Sequence, residues 1–494
     1  MQQRSELPEG WAITSIGEIC FVSDRNHTTP TYQETGYPLI SPKVFTKNGI
    51  DFSSSNLKYV GDDELIAFEK KCNPEIEDIL YSRIGTIGEA RLLDFNEKFV
   101  ALHSISLIKP TIELKKTKIV YYFLQSELAK KQAFDGIKSI GVPDLGLNKL
   151  NNMSVLLPPL AEQHRIVSAI EALFARLDAA NEKLDRVPEI LKKFRESVLA
   201  AAFDGQLTED LRVGFQNSKV VNENLEKNDA NSIYFLENPM ILNSEVLPTL
   251  PDNWFWIKVD QLASKESRSI QSGPFGSNLL HSEFQETGIL AIGIDNVLDR
   301  SFSLGKEHRV SNEKYQELKK YTARPLDVLI TVMATVGRCC VVPQDIETAI
   351  ITKHVYRITP NREIISPYYL MNALSGAAIV KEQIENQIRG QTRPGINGKI
   401  LKATSIPLPP LPEQQEIVRR VDALFAFADS IESNVAAARE KTEKLRQSIL
   451  AKAFSGQLVE TEAAIAKREG RDYETAKVLL DKIKAEKGNK EKKR

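Results

Sequence analysis

Residues 157–207 read LPPLAEQHRIVSAIEALFARLDAANEKLDRVPEILKKFRESVLAAAFDGQL, and residues 408–458 read LPPLPEQQEIVRRVDALFAFADSIESNVAAAREKTEKLRQSILAKAFSGQL. The two stretches align without a gap at an offset of 251, with 24 of 51 positions identical. An internal match of that length marks a duplicated structural unit.

Both copies carry one periodicity. In the first, Ile166, Ile170, Leu173, Leu177, Ala180, Leu184, Val187, Leu191, Phe194 and Val198 are spaced alternately four and three residues apart. In the second the same spacing runs through Ile417, Val421, Leu424, Ala428, Ile431, Val435, Ala438, Thr442, Leu445 and Ile449. Alternating four and three is the heptad seam of a coiled coil, so the spacing predicts two long helices that pair. Packing of each helix on its own domain alone is the weaker alternative. The ends carry matching signals. Pro158 and Pro159, and Pro409, Pro410 and Pro412, open the helices, where a missing N–H costs nothing. Glu162 and Glu413 place a carboxylate in the first turn. Gly205 and Gly456 suit left-handed C-caps, with Leu207 and Leu458 folding back. A helix of about 44 residues is roughly 65 Å long. Pro188 lies inside the first seam and predicts a bend near Val187.

Weaker echoes extend the duplication upstream of each helix. Leu7-Pro8-Glu9-Gly10-Trp11 matches Leu250-Pro251-Asp252-Asn253-Trp254, and Asp78-Ile79-Leu80 matches Asp327-Val328-Leu329. The repeating unit is therefore a domain plus its helix. Short apolar runs at 37–40, 78–82, 104–108, 289–294 and 328–332 read as strands, with helical stretches at 119–133 and 367–388 between them. The fold class is α/β: two mixed α/β domains joined by two helices in an antiparallel coiled coil with a pseudo-two-fold axis. The expected segments are a first domain at 1–155, helix 156–212, a polar connector at 213–245, a second domain at 246–406, helix 407–460 and a charged tail at 461–494. A charged tail of this kind is either solvated or, through its apolar cluster of Ala476, Val478, Leu479, Leu480 and Ile483, docked on a partner subunit or on the helix pair.

Composition narrows the function. The chain has 494 residues, is 42% apolar and carries a net charge of −1, which neither requires nor excludes a basic face for nucleic acid. No apolar run reaches the ~20 residues of a membrane span, and the start of the chain lacks a signal peptide, so a soluble intracellular protein is expected. Four cysteines show no CxxC pair, six histidines show no metal-ligand spacing, and Cys339-Cys340 reads as core. Walker-type and GxGxxG phosphate loops are absent, as is the Asn/Asp-Pro-Pro-aromatic tetrapeptide of amino-methyltransferases. No catalytic residue is assigned.

Three loop regions are the candidates for ligand contact. The first is the glycine-punctuated turn carrying Ser82, Arg83 and Thr86, matched by Thr335 and Arg338. The second carries Arg389, Gln391, Thr392 and Arg393, with Lys138 and Ser139 as counterparts. Arg and Gln are side chains that pair bidentately with guanine and adenine edges. The third follows a strand, with Ser41 and Lys43 in one half and Asp295 and Asn296 in the other.

The repeated Leu-Pro-Pro-Leu-x-Glu-Gln, the Ala-Leu-Phe after it and the closing Ala-Phe-x-Gly-Gln-Leu resemble the repeated regions of type I restriction-modification specificity subunits. Leu-Pro-x-x-Trp at each start and Ser-Gly-Pro-Phe-Gly-Ser at 272–277 also resemble that family, and the Lys-rich tail after Leu-Leu-Asp-Lys-Ile-Lys-Ala-Glu is similar to its K-type subfamily. The resemblance covers nearly the whole chain. It implies a non-catalytic, cytoplasmic, DNA-reading subunit without a cofactor, metal or membrane segment of its own. Each domain would read one half of a split target in double-stranded DNA. The helices would set the gap and dock two adenine methyltransferase subunits, and endonuclease/translocase subunits would join them. S-adenosylmethionine, ATP and Mg would belong to those partners. Two other readings stand beside it: a coiled-coil scaffold for protein or small ligands, and a fused, self-sufficient modification enzyme.

Overall fold

The computed structural model describes residues 7–47, 49–135, 137, 142–215, 241–242, 245–305, 307–388 and 395–491. The chain divides into two compact units, Met1–Asp185 with Val435–Arg494 and Arg186–Asn434. Most of the expected connector lies outside the described residues.

Two helices dominate, α1 (Leu160–Phe203) and α2 (Leu411–Ala453). Helix α1 runs uninterrupted through Pro188. A proline has no N–H, so the carbonyl of Leu184, four residues earlier, loses its helical partner. Arg439 Nη2 approaches that oxygen at 3.5 Å while bonding Asp185 at 2.7 Å, so a side chain from α2 stands where the helical donor is missing. At the C-terminal ends Gly205 and Gly456 adopt φ of +84° and +74°. A Cβ would stand 2.4 Å from Pro251 Cγ in the first case and 2.7 Å from Pro8 Cγ in the second, so both conformation and space require glycine.

Within each unit the two helices run antiparallel. In the first, Asp178, Asn181 and Asp185 of α1 bond Arg446, Thr442 and Arg439 of α2, in opposite chain order. In the second, Arg195 bonds Asp429 at 2.6 Å and Glu432 at 2.9 Å. Most of the expected seam is buried or half-buried, but Leu445 is 43% exposed and Ala180 is also exposed. Toward its end α2 meets the globular core of its unit, so its buried face turns to Leu450, Ala453 and Phe454, which join Ile166 and Ile170 of α1.

The first globular half comprises β1 (Ala12–Ser15), β2 (Cys20–Asp24), β3 (Tyr37–Ile40), β4 (Ile79–Ser82), β5 (Ala90–Leu92), β6 (Val100–Ala101), β7 (Ile105–Pro110) and β8 (Ser154–Leu157), with shorter strands between. Strand β1 pairs with β8, and β2-β7-β4-β5 form an antiparallel sheet. Strands β3 and β6 form a parallel pair in a second sheet. The second half repeats this with β9 (Phe255–Lys258), β10 (Ile270–Ser272), β11 (Ile289–Ile292), β12 (Val328–Thr331), β13 (Cys339–Val341), β14 (Ala349–Ile351), β15 (Val355–Ile358) and β16 (Ser405–Leu408). There β9 pairs with β16, β10-β15-β12-β13 make the antiparallel sheet, and β11 and β14 are the parallel pair. Adjacent Cys339 and Cys340 are both buried but on opposite faces of β13, each in a different apolar cluster.

A matching buried bond pins each domain to the start of its helix. Trp11 Nε1 donates to Glu162 at 3.0 Å, and Trp254 Nε1 donates to Glu413 at 3.0 Å. The helical stretches expected at 119–133 and 367–388 are each split in two, into Ile119–Gln125 and Glu127–Phe134, and into Pro367–Gly376 and Ala378–Ile388. The first break is made by Ser126, whose hydroxyl caps the following helix by accepting from Ala129 N.

The tail folds as α3 (Glu462–Glu469) and α4 (Ala476–Glu491); Glu462 at the start of α3 meets Glu162 and Arg165 of α1, and α4 packs on the core shared by the globular half and the long helices of its own unit. Ala476, Leu479, Leu480 and Ile483 join the cluster of Trp11, Ile16 and Ile19. Lys487 Nζ then donates to the carbonyls of Gly17 and Cys20, at 2.5 and 2.8 Å.

Candidate nucleic-acid interface

In each unit the strands bring a set of loops to one sheet edge. Strands β2 and β4 end where β7 begins, because both are antiparallel to it. The parallel pair ends there too, since Leu102 N donates to Ile40 O at 2.8 Å and Arg83 N to Ser104 O at 2.9 Å. The second unit repeats both bonds, Thr352 N to Ile292 O at 2.9 Å and Val332 N to His354 O at 3.0 Å. A third pair ties in the segment before the last small helix: Leu145 N to Arg83 O at 2.8 Å, and Ile396 N to Val332 O at 3.1 Å. All three candidate loop regions, as far as they are described, therefore lie on this edge.

The glycine-punctuated turn is one hairpin built twice. Gly88 N donates to Ser82 O and Gly337 N to Thr331 O, at 3.1 and 2.9 Å. Ser82 Oγ accepts from Glu89 N at 3.0 Å, and Thr331 Oγ1 accepts from Arg338 N at 3.1 Å. Gly88 and Gly337 sit at φ of +94° and +89°, the left-handed geometry that makes the turn possible.

On this shared backbone the side chains differ. Arg83 was expected to face a ligand, but only 2% of it is exposed. Its guanidinium bonds Asp24 at 2.7 Å and Asp144 at 2.8 Å, with His27 Nε2 2.8 Å away. Burying a guanidinium without carboxylates around it is prohibitively costly, so Arg83 is held inside by its partners. Burial opposes ionisation of Asp24, yet hydrogen bonds from His27 and Lys71 and the Arg83 charge outweigh it and hold the carboxyl below its ordinary range. In the second unit Ser272, Val332 and Gly395 occupy the positions of Asp24, Arg83 and Asp144, and the ion cluster is replaced by apolar and small residues.

The other candidates divide in the same way. Ser82 is buried and its hydroxyl holds the hairpin. Asn296 is buried, accepting from Gly293 N at 2.8 Å and donating to Ser303 O and Leu304 O at 3.0 and 2.7 Å, so it locks its own loop. Ser41 is half-buried beside a short turn that leaves Lys43 exposed. Thr86, Asp295 and Arg338 are exposed, and Thr335 is half-buried at the hairpin tip. Lys138, Ser139, Arg389, Gln391, Thr392 and Arg393 lie outside the described residues.

The sequence reading missed several residues at this edge. His27 stacks against His103 with ring centroids 5.3 Å apart. Burial lowers the His103 pKa first, with the His27, Arg83 and Arg25 charges adding to it; burial likewise lowers that of His354. Lys353 and Phe275 are exposed at the matching place in the second unit, Phe275 by 54%. Phe275 follows Gly273, where a Cβ would stand 2.2 Å from the backbone of Thr352. That glycine was visible in the Ser-Gly-Pro-Phe-Gly-Ser run; its function of close approach was not. Among the described residues no three His, Cys, Asp or Glu side chains gather as a metal site, and no helix is long and apolar enough to cross a membrane.

Comparison with known proteins places this architecture. Residues 8–189 and 295–438 match the family model described as type I restriction modification DNA specificity domain. The chain is 33% identical over 354 residues to the type I restriction enzyme EcoBI specificity subunit of Escherichia coli, covering 70% of this chain and 67% of that protein. It is 30% identical over 406 residues to the EcoDI specificity subunit of Escherichia coli, covering 81% and 82%. Among solved structures, the HsdS subunit from Thermoanaerobacter tengcongensis superposes with a TM-score of 0.51 at 18% identity, covering 92% of this chain and all of that one. A chain from a study of complex assembly in the type I R-M system superposes at 0.60 with 19% identity, covering 92% and 100%.

Proposed function

The chain belongs to the type I restriction-modification DNA specificity family, and from that membership we propose that its two globular halves each read one half of a bipartite target in double-stranded DNA. The observation that carries this reading is the pairing of like and unlike. The two units present loops on the same strands, tied by the same backbone bonds, yet Asp24, Arg83 and Asp144 in one stand against Ser272, Val332 and Gly395 in the other. A duplicated frame with divergent loop chemistry is what two different half-sites require, because sequence is read by side chains at base edges while backbone contacts set register.

The helices set the gap between the half-sites and dock two methyltransferase subunits. The chain itself is non-catalytic and works in the cytoplasm. Adenine methylation is carried out by the partners with S-adenosylmethionine. Endonuclease subunits, using ATP and Mg, restrict foreign DNA that lacks the methyl marks. A net charge of −1 fits modest affinity for DNA alone, with partners supplying part of the phosphate grip.

Co-expressing the chain with its methyltransferase subunit and mapping N6-methyladenine across the host genome tests this. A split motif with a fixed gap is the expected result. An unchanged methylation pattern contradicts it and favours a scaffold.

A further inference from the structure

We propose that Asp144 is a base-reading residue of the first unit and accepts a hydrogen bond from the exocyclic amino group of a cytosine, while Arg83 and Asp24 are the positioning residues that aim it. The inference rests on the reading of the first unit as a half-site reader and adds the residue and the base.

The geometry separates an inner and an outer part. Asp24 and Arg83 keep only 4% and 2% of their side chains exposed, whereas Asp144, on the other arm of the same guanidinium, keeps 50%. The backbone at Asp144 is fixed as well: Ile84 and Asp144 form an antiparallel bridge, and Gly85 N donates to Pro143 O at 2.9 Å. Asp144 is thus held from both main chain and side chain, at the edge where the loops converge. Such a buried ion pair is a poor source of stability compared with apolar packing, and its use here is to fix orientation. Around it, Arg83 Nε, His103 Nδ1 and Ser104 Oγ are buried polar atoms without a hydrogen-bond partner among the described residues. A free surface loop has no need of that arrangement, whereas a surface completed by a ligand does.

Charge selects what Asp144 meets. A carboxylate facing the phosphate backbone is repelled, so on a DNA-facing edge it is favourable only against a donor. In the major groove the donors are the amino groups of cytosine and adenine. Adenine presents an N7 acceptor beside its amino group, which suits an amide that both donates and accepts, while a carboxylate suits cytosine. The second unit has Gly395 at this position and reads its half-site without this contact.

The experiment uses the complex of the full chain with its methyltransferase subunits, comparing wild type, D144N and D144A by genome-wide methylation mapping. Thermal melting of each complex serves as the check on folding. D144A is expected to lose discrimination at one cytosine of one half-site by roughly tenfold or more, with the other half-site unchanged. D144N is expected to accept adenine at that same position, because its amide matches the adenine edge. Retention of the wild-type motif by both variants overturns the proposal, as does a uniform weakening across all sequences. If wild type itself methylates no split motif, the half-site reading falls and this proposal with it. If wild type reads a split motif and the variants do not relax it, only the present proposal falls.

Discussion

Arg195 bonds Asp429 at 2.6 Å, and 251 residues away in each case Arg446 bonds Asp178. The arginines also lie over matching rings, Arg446 over Phe174 at 4.2 Å and Arg195 over Phe425 at 5.9 Å. Arg, Asp and Phe are identical in both copies of the helix, and each triad joins one copy to the other. The identity preserved across the duplication therefore includes residues that make antiparallel pairing.

A double-mutant cycle on Arg195 and Asp429, read by thermal unfolding, is expected to give a coupling of about 0.5 kcal/mol, since Asp429 is largely exposed and its charge screened. Overpacking a small, fully buried residue of the seam costs more. Ala428 is fully buried, so A428L is expected to destabilise by about 1–3 kcal/mol. L445Q, at an exposed position, is expected to stay within about 0.5 kcal/mol of wild type. Equal losses from the two substitutions would show that the helices pair on another face.

The tryptophan anchors predict a matched pair of losses. E413A leaves Trp254 Nε1 and the Thr208 hydroxyl, bonded at 3.0 and 2.7 Å, without their acceptor. E162A does the same to Trp11 Nε1 and the backbone N–H of Glu462, at 3.0 and 2.8 Å. Each substitution is expected to cost about 2–4 kcal/mol. Hydrogen exchange should place the loss in the second unit for E413A and in the first for E162A.

Leu479 is 1% exposed against the first globular core, so L479A is expected to cost about 3 kcal/mol. Truncation after residue 460 removes the whole patch and should disable the first half-site. Undiminished stability of the truncated chain would show that the tail is dispensable to that domain.

Asp24 gives a pH dependence with a defined sign. Its folded pKa is lowered, so its charge stabilises the first unit above the ordinary aspartate value of about 3.9. That contribution is lost as pH falls through the lower folded value. Wild type is expected to melt above D24N at pH 7, with the difference shrinking as the pH falls below the ordinary aspartate value and on through the lower folded one. A constant difference across the range would mean that the Asp24 charge contributes nothing.

The sequence makes legible what is local or repeated. The seam, the glycine caps at Gly205 and Gly456, and the hairpin at Gly88 and Gly337 all follow from spacing over a few residues. It does not disclose partners that are distant along the chain. Arg83 reads as a free cation beside a turn because Asp24 and Asp144, which bury it, are 59 and 61 residues away. Glu162 reads as a helix-dipole residue because Trp11 is 151 residues away. The apolar face of the tail is visible in Leu479, Leu480 and Ile483, but the surface that receives it is assembled only by folding.

The most direct test of the account is exchange of residues 1–155 for the equivalent segment of another family member, keeping the face that seats Ala476, Leu480 and Ile483. Methylation mapping of the assembled complex is the readout. One half of the split motif should change, with the other half and the gap unchanged. A change in both halves, or in neither, would contradict the assignment of one domain to one half-site.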